Sequence, residues 1–400
     1  MRERIVVAMS GGVDSSVAAA LLVEQGQEVI GISMQLWERS ECGAHRERSC
    51  CSVQDIDDAR SVAATLGIPF YVIDMAVPFR EGVMDYFAAS YANGLTPNPC
   101  VACNDRVKFG ALLEKAQSLE ADAVATGHYA QSERDAASGR YWLKRGTDAS
   151  KDQSYVLFGL TQEQLARSRF PVGRYDKVTI RQVARRLGLR VADKPDSQDI
   201  CFLSGSDREQ FLRDRLPVIQ PGPIVDIEGR LLGEHRGICF YTIGQRKGLG
   251  IGSSEALYVA AIDAEANRLT VGPLEALQQE HLTAERVNWI GVEPSVGESV
   301  RAEVKIRYNH QPQPATVTRQ PDASAVVRFD EPQQAIAPGQ AVVFYNDDLV
   351  LGGGWITKPQ NTAQVAGRTS CVADDTTCDV RRFSRDIRLA TAFRRRSSAG

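Results

Sequence analysis

The chain has 400 residues, 43% of them hydrophobic and 24% charged, and a formal net charge of only −3. Two or three domains with a real core are expected at that size, and a general polyanion binder is excluded. No apolar run approaches the ~20 residues that span a bilayer, and Met1–Ile5 does not open a secretory signal, so a soluble cytoplasmic protein with no membrane association is expected.

In chain order, residues 4–9 read as a buried parallel strand and 15–25 as the helix that follows it. Residues 28–36 form a second strand. A helix over 52–66 has Ser52 as its N-cap and Asp55 three residues on. Residues 69–74 form a third strand, two helices cover 79–92 and 105–119, and 121–126 is another strand. Strands alternating with helices predict a parallel sheet covered on both faces. Beyond about residue 205 the pattern changes to hairpins, with turns at Glu228-Gly229 and Glu265-Ala266-Asn267. From about 283 only strand-length segments remain, which predicts a small antiparallel barrel. Residues 361–400 hold eight Arg and four Asp with no apolar period, and read as a partly disordered basic tail.

The first strand ends in Ser10-Gly11-Gly12-Val13-Asp14-Ser15. Glycines open backbone conformations closed to other residues and let main-chain N–H groups approach a ligand. The helix that starts there adds unpaired donors and a partial positive charge. Together they form an anion cradle. A Walker loop would end in Gly-Lys-Ser/Thr; this one has no Lys, and Asp14 stands where a metal or an orienting carboxylate would sit. The alternative is a tight strand–helix turn with no ligand.

Nine cysteines are too few for a disulfide scaffold and, in a reducing compartment, point to chemistry or metal. Thr96-Pro97-Asn98-Pro99-Cys100-Val101-Ala102-Cys103 places Cys103 just ahead of the helix expected from Asp105, where a helix N-terminus favours the thiolate. Cys201 lies among polar and acidic residues in Asp196-Ser197-Gln198-Asp199-Ile200-Cys201-Phe202. Cys100 and Cys103 are also half of a zinc pattern, but no second C-x-x-C occurs and the five histidines are scattered. Charge is uneven: Arg167–Lys194 carries nine basic residues against two acidic ones. A face of that kind can hold nucleic acid phosphates, or it is a solvated helix surface.

Ser10–Ser15 resembles the pyrophosphate loop of ATP pyrophosphatases that adenylate a substrate oxygen. With Asp57–Arg60, Thr96–Cys100, Cys103-Asn104, Lys108-Phe109, Ala125–Ala130, Lys151–Leu157, Lys194–Phe202, Tyr241–Gly250 and Lys305–Pro312, the chain resembles the bacterial tRNA-specific 2-thiouridylases, the MnmA/TrmU family, from residue 5 to about 357. The resemblance implies a PP-loop α/β catalytic domain (1–205), a small central β-rich domain (206–280), a C-terminal antiparallel β-barrel (281–360) and a tail (361–400). It implies that ATP, with Mg2+, adenylates the C2 oxygen of the wobble uridine (U34) of tRNA. Sulfur then arrives as a persulfide from a donor or relay protein and displaces AMP. Cys201 would carry the persulfide and Cys103 would be the nucleophile. The ATP site would include Ala8, Met9, Ser10, Gly11, Gly12, Val13, Asp14, Ser15, Met34 and Gly127. The tRNA contacts would include Asn98, Pro99, Cys100, His128, Lys151, Asp152, Gln153, Arg307, Tyr308 and Gln340. Some members have Asp where this chain has Cys100, which leaves open a neutral neighbour, a spare resolving thiol, or one ligand of an iron–sulfur cluster with Cys103 and Cys201. Another adenylating enzyme, or an RNA- or metal-binding module that kept the fold, is the rival reading.

Overall fold

The computed structural model describes residues 2–37, 53–196, 200–203 and 208–359, which apart from Pro359 lie in one compact unit, Met1–Lys358. The expected N-cap Ser52, residues Ser197–Asp199, five of the nine cysteines and the tail lie outside the described residues.

The first strand β1 (Arg4–Ala8) is apolar on both faces, as a central parallel strand must be, and leads through the glycine turn into α1 (Val13–Glu24). The small residues of α1 bury almost its whole circumference against the sheet and its neighbours. The chain continues through β2 (Glu28–Gln35), α2 (Val53–Leu66) and β3 (Phe70–Asp74). Next comes a helical run of α3 (Ala76–Phe79), a π-helical stretch (Arg80–Asp85) and α4 (Tyr86–Ala92). A second run joins α5 (Pro99–Ala102), a π-helical stretch (Cys103–Ala111) and α6 (Leu112–Gln117). Then follow β4 (Ala123–Ala125), β5 (Ala130–Arg134), β6 (Tyr141–Arg145), α7 (Gln162–Ala166), β7 (Ser168–Arg169), α8 (Lys177–Arg186) and α9 (Arg208–Arg215).

The parallel sheet has the order β3-β2-β1-β4-β7. The order reverses between β1 and β4, whose registers pair Val6 with Val124 and Val7 with Ala125. The crevice outside the carboxyl ends of strands at such a reversal is where open α/β sheets bind ligands, and the glycine turn opens onto it.

The central sheet comprises β8 (Gly222–Asp226), β9 (Leu231–His235), β10 (Tyr258–Asp263) and β11 (Arg268–Gly272), and both expected hairpins are present. The C-terminal barrel comprises β12 (Gln278–Trp289), β13 (Ser299–Lys305), β14 (Gln313–Gln320), β15 (Ser324–Gln334), β16 (Ala341–Asn346) and β17 (Leu349–Ile356). Pairing of β12 with β17 closes it, so no edge is left open. The β5–β6 hairpin leaves the parallel-sheet half and joins the barrel through Leu349 and Lys144, a connection the sequence pattern does not announce. Among the described residues no helix is long and apolar enough to cross a membrane.

Candidate nucleotide and thiol site

The two turn glycines have different tasks. Gly11 has φ +74°, and a Cβ there would stand 2.2 Å from the Asp55 carbonyl oxygen. The turn is therefore seated on the first turn of α2, and only glycine fits. Gly12, the N-cap of α1, has an ordinary φ of −92°, and its nearest neighbour would be Ser10 Oγ at 3.6 Å. Among the described residues nothing demands a glycine there. Ser15 Oγ accepts from Ser10 N at 3.2 Å and Ser16 Oγ donates to the Gly12 carbonyl at 2.8 Å, which fixes the turn's shape. From the neighbouring strand, Gly127 lies so close that a Cβ would be 2.5 Å from Ser15 N. The residues after β4 thus touch the turn directly.

Lysines from distant segments surround Asp14. Lys177, the first residue of α8, donates to both carboxylate oxygens of Asp14 at 2.8 Å, and Tyr129 Oη donates to Oδ1 at 2.7 Å. Lys177 also pairs with Asp196 at 2.8 Å. Asp196 in turn receives Lys151 at 2.9 Å and Arg181 at 3.1 Å. Burial opposes ionisation of Asp196, but the hydrogen bonds from Lys177 and Lys151 outweigh it and hold the carboxyl below its usual range. Lys194 donates to the Gly11 carbonyl at 3.0 Å and pairs with Asp55 and Asp58 at 2.5 and 2.7 Å. The segment leading towards Cys201 is thereby tied to the glycine turn at two lysines.

The basic stretch differs accordingly from its expected role. Seven of its nine cations are engaged inside the molecule: Arg169 with Glu3, Lys177 with Asp14 and Asp196, Arg181 with Asp196, Arg185 with Asp193, Arg186 with Glu24, Arg190 with Asp58, and Lys194 with Asp55 and Asp58. Arg181 further donates to the Ala192 and Lys194 carbonyls at 2.8 and 3.0 Å. It shapes a loop. Asp193 and Asp196 are local, but Glu3, Asp14, Glu24, Asp55 and Asp58 lie far away in sequence, so a window of charge could not anticipate them.

The cysteine arm also departs from expectation. Its helix starts at Pro99, six residues before Asp105, with Asn98 as N-cap accepting from Val101 N at 3.3 Å. Proline at the first helical position is the ordinary signature of such a start. Cys100 is therefore the thiol in the first turn, and it is exposed, whereas Cys103 is one turn further in and half-buried. The dipole acts mainly within the first turn, so Cys103 owes less to it than the sequence implied. From Cys103 the helix widens into its π-helical stretch, pinned by Asn104 Nδ2 on the Val156 carbonyl at 2.9 Å. Such stretches recur at functional sites. Cys201 is half-buried, and its neighbour Phe202 anchors it. The Phe202 ring is 3% exposed and packs with Phe79, Phe87 and Phe211 at centroid distances of 5.9, 5.2 and 5.1 Å. Cys103 and Cys201 both border the same apolar cluster.

The barrel supports this arm. Gln340 Nε2 donates to the Thr96 and Pro97 carbonyls at 3.2 and 3.3 Å, and Thr96 N donates to the Pro338 carbonyl at 2.8 Å. Tyr308 is 39% exposed. Its hydroxyl donates to the Asp152 carbonyl at 3.2 Å, its ring meets Tyr155, and burial, Asp152 and Cys100 raise its pKa. Tyr308, Arg307 and Cys100 are all exposed.

Other expected contacts take structural positions. His128 is buried between Phe109 and Phe170, with Nδ1 2.7 Å from Thr126 Oγ1. Burial and Lys108 push its pKa well down, so the ring is neutral. Asp152 accepts from Gly146 N and Ser154 N, and Gln153 Oε1 accepts from Tyr129 N at 3.0 Å. Lys151 is committed to Asp196. Met34 is half-buried at the end of β2 beside Ile73.

A sheet whose order reverses at a glycine turn, followed by a small β domain and a closed barrel, defines a HUP-type nucleotide-loop protein with two appended β domains. The family model described as tRNA methyl transferase HUP domain matches residues 3–205, the tRNA methyl transferase PRC-barrel domain 209–273, and the aminomethyltransferase β-barrel domain 279–356. The chain is 51% identical over 361 residues to the tRNA-specific 2-thiouridylase MnmA of Heliobacterium modesticaldum, covering 90% of this chain and 93% of that one. It is 51% identical to the 2-thiouridylase of Geotalea uraniireducens (90% and 96% covered) and 54% identical to that of Geobacter metallireducens (89% and 97% covered). The chain belongs to the tRNA-specific 2-thiouridylase family.

Proposed function

We propose that the protein is an ATP-dependent tRNA-uridine 2-sulfurtransferase acting on the wobble uridine. The observation that carries this is the glycine turn at the strand-order reversal, where Gly12 is required by no contact among the described residues. That freedom supports a backbone kept bare for a ligand. The cysteine arm and Cys201 segment at the margin of one apolar cluster supply the second half of the chemistry.

An amide-like C2 oxygen is a poor leaving group. Transfer of AMP from ATP to that oxygen releases pyrophosphate and makes it a good one. Cys201 carries a persulfide received from a donor or relay protein. The Cys103 thiolate attacks the inner sulfur of Cys201, and the terminal sulfur leaves as sulfide. Sulfide adds at C2 and expels AMP, leaving 2-thiouridine and a Cys103–Cys201 disulfide. A thiol reductant restores the enzyme for the next turnover. Exposed Cys100, Arg307 and Tyr308 supply the surface for a base that has left its stack, and Asn98, Pro99 and Gln340 hold that surface in place. His128, Lys151, Asp152 and Gln153 act from beneath it. We assign the divisions 1–205, 206–280 and 281–360 to catalysis, a central module and the barrel, with 361–400 as a tail, and the cytoplasm as the place of action.

In this structure both Asp14 oxygens accept from Lys177, and Oδ1 from Tyr129 as well, so Asp14 is not arranged here as a Mg2+ ligand. Nor do the residues fit an iron–sulfur cluster, since among the described residues no three Cys, His or carboxylate groups converge as a metal site. Mg2+ enters on the phosphates of ATP, and no step here passes through a cluster.

Pyrophosphate release tests the reading. With ATP and tRNA, release depends on a wobble uridine and survives thiol alkylation, while 2-thiouridine formation does not. Release without tRNA dependence overturns the assignment.

A further inference from the structure

The glycine turn lacks the lysine that a Walker loop places on its phosphates, yet an ammonium stands beside it. Lys177 reaches Asp14 from the start of α8, 163 residues away in sequence, and its side chain is only 11% exposed. Asp14 lies in the first turn of α1, whose N–H groups have no intrahelical acceptor. We propose that Lys177 is the pyrophosphate-binding cation of this site, turning from Asp14 and Asp196 onto the β- and γ-phosphates of ATP. This rests on the ATP reading above.

Two features of the network carry the inference. The three donors of Lys177 are spent on Asp14 Oδ1, Asp14 Oδ2 and Asp196 Oδ1, each at 2.8 Å. Each carboxylate keeps another donor when Lys177 turns away: Tyr129 Oη on Asp14, and Lys151 and Arg181 on Asp196. Withdrawal therefore strands no buried charge, which would otherwise be the main cost. Because both Asp14 oxygens already accept hydrogen bonds from Lys177, the side chain at the turn that presents positive charge is the lysine.

A structural role and a phosphate role make different predictions once Asp14 is removed. Affinities for inorganic pyrophosphate, ATP and AMP, each with Mg2+, are measured by calorimetry on the full chain. The proteins are wild type, Lys177→Met, Asp14→Asn and the double variant. Lys177→Met should weaken pyrophosphate and ATP by about ten- to a hundredfold and AMP by less than about twofold. The loss for pyrophosphate should persist in the Asp14→Asn background. Equal losses for AMP and pyrophosphate, or no further loss in the Asp14→Asn background, would overturn the proposal. Should Lys177→Met not fold, Lys177→Arg decides: a changed ratio of pyrophosphate to AMP affinity supports it, and an unchanged ratio overturns it. Wild-type protein that binds none of the three ligands refutes the ATP reading itself, a distinct result.

Discussion

The two adjacent glycines can be separated by substitution. In Gly11→Ala, the added methyl must occupy a left-handed backbone at φ +74° and lies 2.2 Å from the Asp55 carbonyl oxygen and 2.8 Å from Asp55 C and Cα. The left-handed strain costs ~1–2 kcal/mol. The neighbour is helix backbone, so overpacking adds ~1–3 kcal/mol. A total loss of ~2–5 kcal/mol is expected. In Gly12→Ala, φ is −92° and the nearest atom, Ser10 Oγ, is 3.6 Å from the added carbon. Alanine is a poorer N-cap by roughly 0.5 kcal/mol, while restriction of the unfolded chain returns ~0.4–1 kcal/mol. Its stability should stay within about 0.5 kcal/mol of the parent, yet the methyl stands in the space left for a ligand. Urea unfolding followed by circular dichroism, with ATP titration by calorimetry, reads both quantities. Gly12→Ala should bind ATP at least about tenfold more weakly, equivalent to ~1.4 kcal/mol, without unfolding earlier. If it loses as much stability as Gly11→Ala, or binds ATP as the parent does, the ligand reading of the turn is wrong.

Cys103→Ser and Cys201→Ser should each abolish 2-thiouridine formation while leaving ATP affinity within about twofold of the parent, and normal thiolation by either variant removes the two-thiol scheme. Arg181→Ala should lower the urea midpoint, because it deletes bonds to Asp196 and two carbonyls; the slope of tRNA affinity against salt should not change, whereas a phosphate contact would flatten it by roughly 0.7–0.9. Asp105 has a buried Oδ1 without a hydrogen-bond partner among the described residues, and burial raises its pKa to about 7 against the opposing effect of Arg106. The folded protein then holds this proton through a range where the unfolded chain has lost it, so Asp105 costs stability as pH rises from about 4 to about 7. Asp105→Asn should therefore gain on the parent across that window, by on the order of a few kcal/mol, and a difference independent of pH contradicts the burial argument.

The sequence made the glycine turn and its strand–helix frame legible, because glycine chemistry and apolar periodicity are local. The barrel followed from strand spacing for the same reason. The helix start at Pro99 is also a local signal, an N-cap Asn98 followed by a first-turn proline, although the spacing predicts the start at Asp105. What stayed illegible depends on partners far apart in the chain. Lys177 and Lys194 read as members of a basic stretch until Asp14, Asp55 and Asp58 are brought to them. Gln340 gains meaning only when the Pro338–Gln340 turn meets Thr96 and Pro97. His128, expected as a tRNA contact, is enclosed by Phe109 and Phe170, one of which lies 42 residues away. No spacing rule brings such rings together.

The central claim is that this chain places sulfur on the wobble uridine of tRNA through Cys201. The most direct measurement is mass analysis of wobble nucleosides in tRNA from cells lacking the protein, complemented by the wild-type chain or by Cys201→Ser. The account predicts that 2-thiouridine disappears in the deletion, returns with wild type and stays absent with Cys201→Ser. Undiminished 2-thiouridine in the deletion, or full recovery with Cys201→Ser, would contradict it.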